Sequence, residues 1–261
     1  MTADVPAPRP PSCQDVDDQA RTGPKGRSYG MDYFPFREVG LRCNPFRRLT
    51  DEEWAAVATV PSNLLDALEG AAHVQILGGA GRGKTTCLLG LVARLAAEGK
   101  RTAYEYLAAR ENRFRTGLKD LDVFLLDEAQ RLTRRERIRL LAQERVRGRE
   151  LRLVVATHED LTSPFAGHRL PLVTVSLDSV TAAHVAAVVN HRIVYFSLDD
   201  PPAVALSADA VRHLCNMFDN NLRRIDGFLY EFFQTAVRPG MVTSEILSRF
   251  HQHDMSSGGL G

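Results

Sequence analysis

The strongest chemistry in this chain is carried by one run: Gly78, Gly79, Ala80, Gly81, Arg82, Gly83, Lys84 and Thr85, with Thr86 behind it. The run matches G-x-x-x-x-G-K-[ST] in full. Glycines let the backbone curl until successive N–H groups point into one concavity, a nest for anions. A helix starting at its end adds the partial positive charge of its N-terminus. Lys84 is then placed for the β- and γ-phosphates of a nucleotide, and the Thr85 hydroxyl for Mg²⁺. Binding of ATP with Mg²⁺ over residues 78–86 is therefore expected. A second run supplies acids. Val123, Phe124, Leu125 and Leu126 are apolar, and Asp127 and Glu128 follow them. This describes a buried strand with carboxylates at its carboxyl end, where open α/β sheets hold ligands. Asp127 is expected on Mg²⁺, directly or through water. Glu128 is expected to polarise the attacking water as a general base.

Both runs need a scaffold, and the surrounding pattern provides one. Short apolar strands are expected at 73–77, 102–107, 123–126, 151–156 and 172–177. Helices should lie between them, at 84–98 closing on Gly99, and from the capping pair Thr133 and Glu136 to about Val146. Thr50 and Glu53 form a similar pair before a helix at Asp51, and Ser62 starts another that ends near Gly70. Strands alternating with helices mean a parallel sheet covered on both faces. After Asp178 the strand patterns stop. Thr181, Ser207 and Thr243 each precede a helical pattern, and Leu222, Ile225, Leu229, Phe232 and Phe233 recur at helical spacing. The expected organisation is a disordered tail over 1–30, a phosphate-loop α/β domain over 31–178, an all-α lid over 179–253 and a flexible tail over 254–261. Tyr33, Phe34, Phe36, Leu41 and Phe46 are aromatic and apolar anchors in an irregular lead-in segment, which should dock on the α/β domain.

Bulk composition narrows the class. The chain has 261 residues with 44% hydrophobic types, enough for a sizeable core and a smaller companion. Net charge is +1, so any attraction to nucleic acid must be local. Cys13, Cys43, Cys87 and Cys215 are widely spaced, which suggests neither a disulfide framework nor a metal site. The N-terminus has no apolar signal region, and no apolar run is long enough to span a membrane. A cytoplasmic location is expected. The five histidines at 184, 191, 213, 251 and 253 fall on helical patterns and should be surface residues.

The order of these features resembles the AAA+ ATPase layout from about Phe34 to Val237: the phosphate loop (Walker A), the apolar strand ending in Asp-Glu (Walker B), a strand ending in Ala156-Thr157-His158, and a helical domain. The resemblance implies roles for further residues. Thr157 is the better match to the sensor 1 position, with His158 second. Arg223 or Arg224 matches sensor 2, with Arg223 favoured, although the usual glycine is absent from Asn220-Asn221-Leu222-Arg223-Arg224. Arg169, just before the fifth strand, matches the arginine finger that serves a neighbouring subunit, which implies an ATP-dependent homo-oligomer. Gly40-Leu41-Arg42-Cys43-Asn44-Pro45-Phe46, Asp127-Glu128-Ala129-Gln130-Arg131-Leu132 and the 157–161 segment look like the branch of bacterial transposition ATPases, related secretion-accessory ATPases and origin-recognition proteins. The stretch between Lys84 and Asp127 is short for that family and leaves little room beyond one strand.

Arginines crowd the segment after Walker B: Arg131, Arg134, Arg135, Arg137, Arg139, Arg145, Arg147, Arg149 and Arg152. One reading gives DNA phosphate contact, through Arg134, Arg135, Arg137 and Arg139. The other gives a solvated or subunit-facing surface with i,i+4 pairs. The functional expectation is a nucleotide-dependent switch or assembly factor acting on DNA, as in transposition, against a nucleotide-gated adaptor for a protein partner. A small-molecule kinase is disfavoured by the Asp-Glu pair, which suits water activation. A helicase is disfavoured because the chain turns helical instead of repeating the α/β domain.

Overall fold

A computed structural model of the chain describes residues 36–70, 72–148, 150–178 and 181–257. The tail expected over 1–30, Tyr33, Phe34 and residues 258–261 lie outside them. The body runs α1 (Asp51–Val57), α2 (Ser62–Glu69), β1 (His73–Leu77), α3 (Lys84–Ala97), β2 (Thr102–Tyr106), β3 (Val123–Asp127), α4 (Arg134–Leu141), α5 (Glu144–Arg147), β4 (Arg152–Thr157), α6 (Thr162–Gly167) and β5 (Leu172–Ser176). Its strands form one parallel sheet in the order β2-β3-β4-β1-β5. Helices cover both faces, as alternating apolar strands require.

Strand β3 shows why. Val123 and Leu125 join the core on one face, with Leu88 and Leu91 of α3. Phe124 and Leu126 join the core on the other, with Leu140 and Leu141 of α4. Successive side chains point to opposite faces, so a strand buried on both has no polar period. Local caps set the helix limits. Thr50 Oγ1 accepts from Glu53 N at 3.2 Å while the Glu53 carboxylate accepts from Thr50 N at 2.9 Å, which starts α1. Such a cap contributes about 1 kcal/mol. Helix α4 stops at Leu141, short of the expected Val146. Ala142 N–H donates to the Ile138 and Leu140 carbonyls, tightening the last turn, and α5 restarts two residues later.

The C-terminal part holds α7 (Ala182–Phe196), β6 (Val204–Leu206), α8 (Ala208–Phe218), α9 (Leu222–Thr235), β7 (Gly240–Val242) and α10 (Ser244–Ser257). The all-α expectation is corrected here, because β6 and β7 pair in parallel, Val204 with Gly240 through Leu206 with Val242. Strands this short show no alternation, and the β7 strand starts on a glycine with no side chain to signal it. Helix α10 also continues to Ser257, past the 254 boundary expected for a flexible tail.

The lead-in ties the two parts together. Leu41 bridges Ser197, and Leu198 N donates to the Gly40 carbonyl at 2.8 Å. Phe46 meets Phe233 of α9 at 5.0 Å between ring centroids. Asn44 Nδ2 donates to the Tyr230 carbonyl at 2.9 Å. Its anchors Leu41 and Phe46 are buried, and their contacts fall on the lid, at Ser197, Arg192 and Phe233, rather than on the α/β domain where the segment was expected to dock. Among the described residues no helix is long and apolar enough to cross a membrane.

Candidate functional site

All five strands are parallel, so everything after their carboxyl ends lies along one edge of the sheet. The loop after β1 bends through Gly81 at φ 77° and Gly83 at φ 87°, then enters α3 at Lys84. A side chain at either glycine would be strained. Inside this turn Lys84 is almost fully buried, and its ammonium donates to the Gly78 and Gly79 carbonyls at 2.6 and 2.9 Å. Burial lowers its pKa, opposed by the nearby carboxylates of Glu128 and Asp127. Gly79 N donates to Asp178 Oδ1 at 2.9 Å, so the loop is tied to the end of the β5 segment.

Thr85, the next residue on α3, donates its hydroxyl to Asp127 Oδ2 at 2.6 Å. Tyr104 from β2 donates to the same oxygen at 3.3 Å, and Glu128 N donates to Asp127 Oδ1 at 2.9 Å. Asp127 has no exposed surface, and desolvation raises its pKa. A hydroxyl and a buried carboxylate in contact beneath an anion nest form a hard-oxygen donor set, which fits Mg²⁺ shared with phosphate oxygens.

Glu128 follows in a left-handed conformation, φ 58° and ψ 38°, which costs a residue with a Cβ about 1–2 kcal/mol. Its Oε2 accepts from Gln130 Nε2 at 2.7 Å and pairs with Arg131 Nη2 at 3.1 Å, while Oε1 lies 3.3 Å from His158 Nε2.

The two sensor candidates on β4 separate. The Thr157 hydroxyl is turned into its own chain, donating to Glu159 O at 2.8 Å and accepting from Glu159 N at 3.0 Å. His158 instead lines the cleft, with its ring 3.4 Å from Lys84 Nζ. Thr157 is thus sealed beneath the strand end, and its neighbour His158 faces the open side. Of the two arginines on α9, Arg223 lines the cleft, whereas the Arg224 guanidinium sits 5.2 Å from the centre of the Phe218 ring. Arg169 lies elsewhere. Exposed at φ 56° between α6 and β5, it precedes its strand and so sits at the end of the sheet away from its own phosphate loop.

The lid closes over the loop. Arg82 donates to the Asp219 carbonyl at 2.5 Å and pairs with the Asp219 carboxylate at 3.1 Å. Asn221 Nδ2 donates to Ala80 O at 3.2 Å while its Oδ1 caps α9. Between loop and lid lies a cleft of about 480 Å³. Sequence reasoning missed the side chains that line its far half: Trp54, Thr59, His184, Val188, Arg192 and Asp226. The helical pattern puts His184 on the surface; it is half-buried here, and burial lowers its pKa. Arg192 is 2% exposed, paired with Asp226 at 2.7 Å and donating to Pro45 O at 3.0 Å, with Phe46 and Trp54 rings about 5 Å away. An arginine at a buried position of the α7 pattern, with an aspartate on α9, was the available signal.

The arginine segment is mostly engaged with backbone. Arg152 donates to the carbonyls of Ala67, Leu68, Gly70 and Ala72 at the end of α2. Arg145 donates to those of Leu118, Lys119 and Leu121. Arg139 reaches Phe114 O at 3.1 Å, lies over the Phe114 ring and pairs with Glu136 at 2.7 Å. Arg137 points its Nη2 at the Gln130 and Leu132 carbonyls, both at 3.4 Å. Arg134 and Arg135 are exposed at the start of α4.

No family model matches the sequence, and no curated protein is similar to it in sequence. Solved structures are similar in shape. A variant of RuvB from Thermotoga maritima has a TM-score of 0.53 at 20% identity, over 80% of this chain and 73% of that one. AMPPCP-bound DnaA from Aquifex aeolicus has a TM-score of 0.51 at 17% identity, over 75% of this chain and 65% of that one. The replication initiator DnaA bound to AMPPCP and single-stranded DNA has a TM-score of 0.50 at 18% identity, over 75% and 64%. This chain thus spans slightly less than two thirds of the DnaA chains. At such identities the shared property is the fold: a five-stranded parallel sheet flanked by helices, with a helical C-terminal part, as in RuvB and DnaA.

Proposed function

We propose that this chain is a magnesium-dependent ATP hydrolase of the AAA+ type that works as a nucleotide-dependent switch or assembly factor on DNA, in a transposition-like setting. One observation carries the reading: Thr85 and Asp127 meet at 2.6 Å beneath a glycine loop, with Glu128 the next residue along the same cleft. The loop amides of residues 79–86 and Lys84 hold the phosphates. Thr85 and Asp127 hold Mg²⁺, which neutralises charge on the transferred phosphoryl group. Glu128 takes the proton of the attacking water. His158 or Thr157 senses the terminal phosphate from the β4 side, and Arg223 from the lid. Arg169 acts in a neighbouring subunit, since its place at the opposite end of the sheet keeps it from its own cleft. The Trp54 half of the cleft receives the adenine base.

The exposed Arg134 and Arg135 support phosphate contact with DNA, and one solved structure of similar fold was bound to single-stranded DNA. Engagement of Arg137, Arg139, Arg145 and Arg152 with backbone favours the second reading, a protein-partner adaptor without nucleic acid. Calorimetry with ATP and Mg²⁺ tests the core of the proposal, and absence of binding ends it. Filter binding of DNA with an ATP analogue at low salt separates the two readings. Retention supports the DNA switch, and no retention leaves the adaptor.

A further inference from the structure

Gln75 stands in the middle of β1, on the strand that runs out into the phosphate loop, and it has no exposed surface. Its strand neighbours Val74 and Ile76 join the apolar core on the α3 side. Gln75 therefore points to the opposite face, level with Val155 of β4 and Thr174 of β5. A polar side chain at that depth is costly unless its amide is bonded. Here Nε2 donates to Asp160 Oδ1 at 2.6 Å and to Thr174 Oγ1 at 2.7 Å, and Oε1 accepts from Leu161 N at 2.9 Å. Asp160 Oδ1 also accepts from the Thr162 N–H and hydroxyl, at 2.9 and 2.6 Å. The bonds from Thr162 and Gln75 hold the Asp160 carboxyl below the usual carboxylate range. One amide thus joins β1 and β5 to the turn between β4 and α6. That turn begins with His158, whose ring lines the cleft 3.4 Å from Lys84 Nζ.

From this we infer that Gln75 is a positioning residue for His158. Its amide clamps the turn just beyond the histidine, so the backbone leaving β4 has one course and the imidazole is delivered to the open side. The clamp starts from the strand that carries the phosphate loop, so Lys84 and His158 are both placed by one rigid element. Only an amide meets both ends of the turn. Leucine would fill the volume and strand the Leu161 N–H. Glutamate would accept from that N–H but has no donor for Asp160, and would face it with a second negative charge. This rests on the reading of the cleft as an ATP hydrolase site in which His158 meets the terminal phosphate.

Steady-state ATPase kinetics and amide hydrogen exchange on the full chain test it. Gln75→Leu should lower kcat about tenfold, with KM for ATP changed less than about twofold, because a displaced imidazole costs rate and leaves the phosphate nest intact. In a His158→Ala background the same substitution should change kcat less than about twofold, since the group it positions is gone. An equal loss in both backgrounds overturns the inference and makes Gln75 a packing residue. Gln75→Glu should be as slow as Gln75→Leu. Adding Asp160→Asn to it exchanges donor and acceptor, and should return kcat to within about threefold of wild type. Should Gln75→Leu fail to fold, Asp160→Ala at an exposed position removes the acceptor instead and should show the same dependence on His158. Exchange of the Leu161 amide should quicken at least about tenfold in Gln75→Leu, a readout that needs no turnover. Wild type without ATP turnover removes the hydrolase reading, whereas normal turnover in wild type with Leu161 exchange unmoved in Gln75→Leu removes only the role of Gln75.

Discussion

The run from Gly78 to Thr86 and the arginine segment from Arg131 to Arg152 are both conspicuous in the sequence, and they fold into opposite arrangements. Around the first, residues following β1, β3, β4 and the lid converge on one cleft, which Lys84, Glu128, His158 and Arg223 all line. Within the second, the cations disperse. Arg152, Arg145, Arg139 and Arg137 each turn back to backbone carbonyls of separate segments, while Arg134, Arg135 and Arg147 are exposed. A spacing pattern that dictates backbone shape points to a site, because the shape itself does the binding. A composition does not, since a guanidinium with five donors serves a carbonyl cluster as readily as a phosphate.

Substitutions at the two regions can break this contrast or sharpen it. Lys84→Ala should have the largest effect, reducing ATP affinity on the order of a hundredfold by deleting a charge-assisted contact. Calorimetry reads it, and unchanged affinity would put the first region on the same footing as the second. Glu128→Gln should lower turnover about tenfold to a hundredfold while ATP affinity holds, since the amide keeps the shape without the basicity. Loss of affinity instead would mean that the residue shapes the nest. Arg152→Ala should cost about 2–3 kcal/mol of stability by stranding the carbonyls at the end of α2, with ATP affinity per folded molecule unchanged. A thermal melt shows this as a drop of several degrees, and an unmoved midpoint would free Arg152 from its structural role. Changing Arg134 and Arg135 together to Glu should move stability by no more than about 0.5 kcal/mol. If the segment meets DNA, the salt dependence of binding should lose about two units of slope in the same variant.

Much of the body was legible in advance because its signals are local. Strands β1, β3 and β4 are apolar runs, and Thr50 and Thr133 each cap a helix by accepting from a backbone N–H, as Thr181 and Ser207 do in the C-terminal part. What escaped depends on partners far along the chain. The β6–β7 pair joins residues with no alternation of their own. The contacts of Asp219 with Arg82 and Asn221 with Ala80 exist only once the lid meets the loop. The sequence resemblance put Thr157 ahead of His158, but the strand end fixes which residue is last and not which side chain stays inside, so the burial of Thr157 was not readable in advance. The Arg192–Asp226 pair was hidden for a similar reason, since each residue alone reads as a solvated charge.

The strand order also bears on how the chain is made. Strand β1 finds its sheet neighbours in β4 and β5, and the lead-in finds partners in α7 and α9. A ribosome releasing the chain N-terminus first therefore exposes the apolar β1 and Phe46 for several seconds before any of those partners has been synthesised. Helix α3 can form and shelter one face of β1 early, but the central seam of the sheet must wait for residues beyond Arg152. Closure of long loops then dominates the search, a regime of slow folding in which unpaired strand edges invite association between nascent chains. Production of this protein should respond to synthesis rate and to chaperone supply more than its final stability suggests.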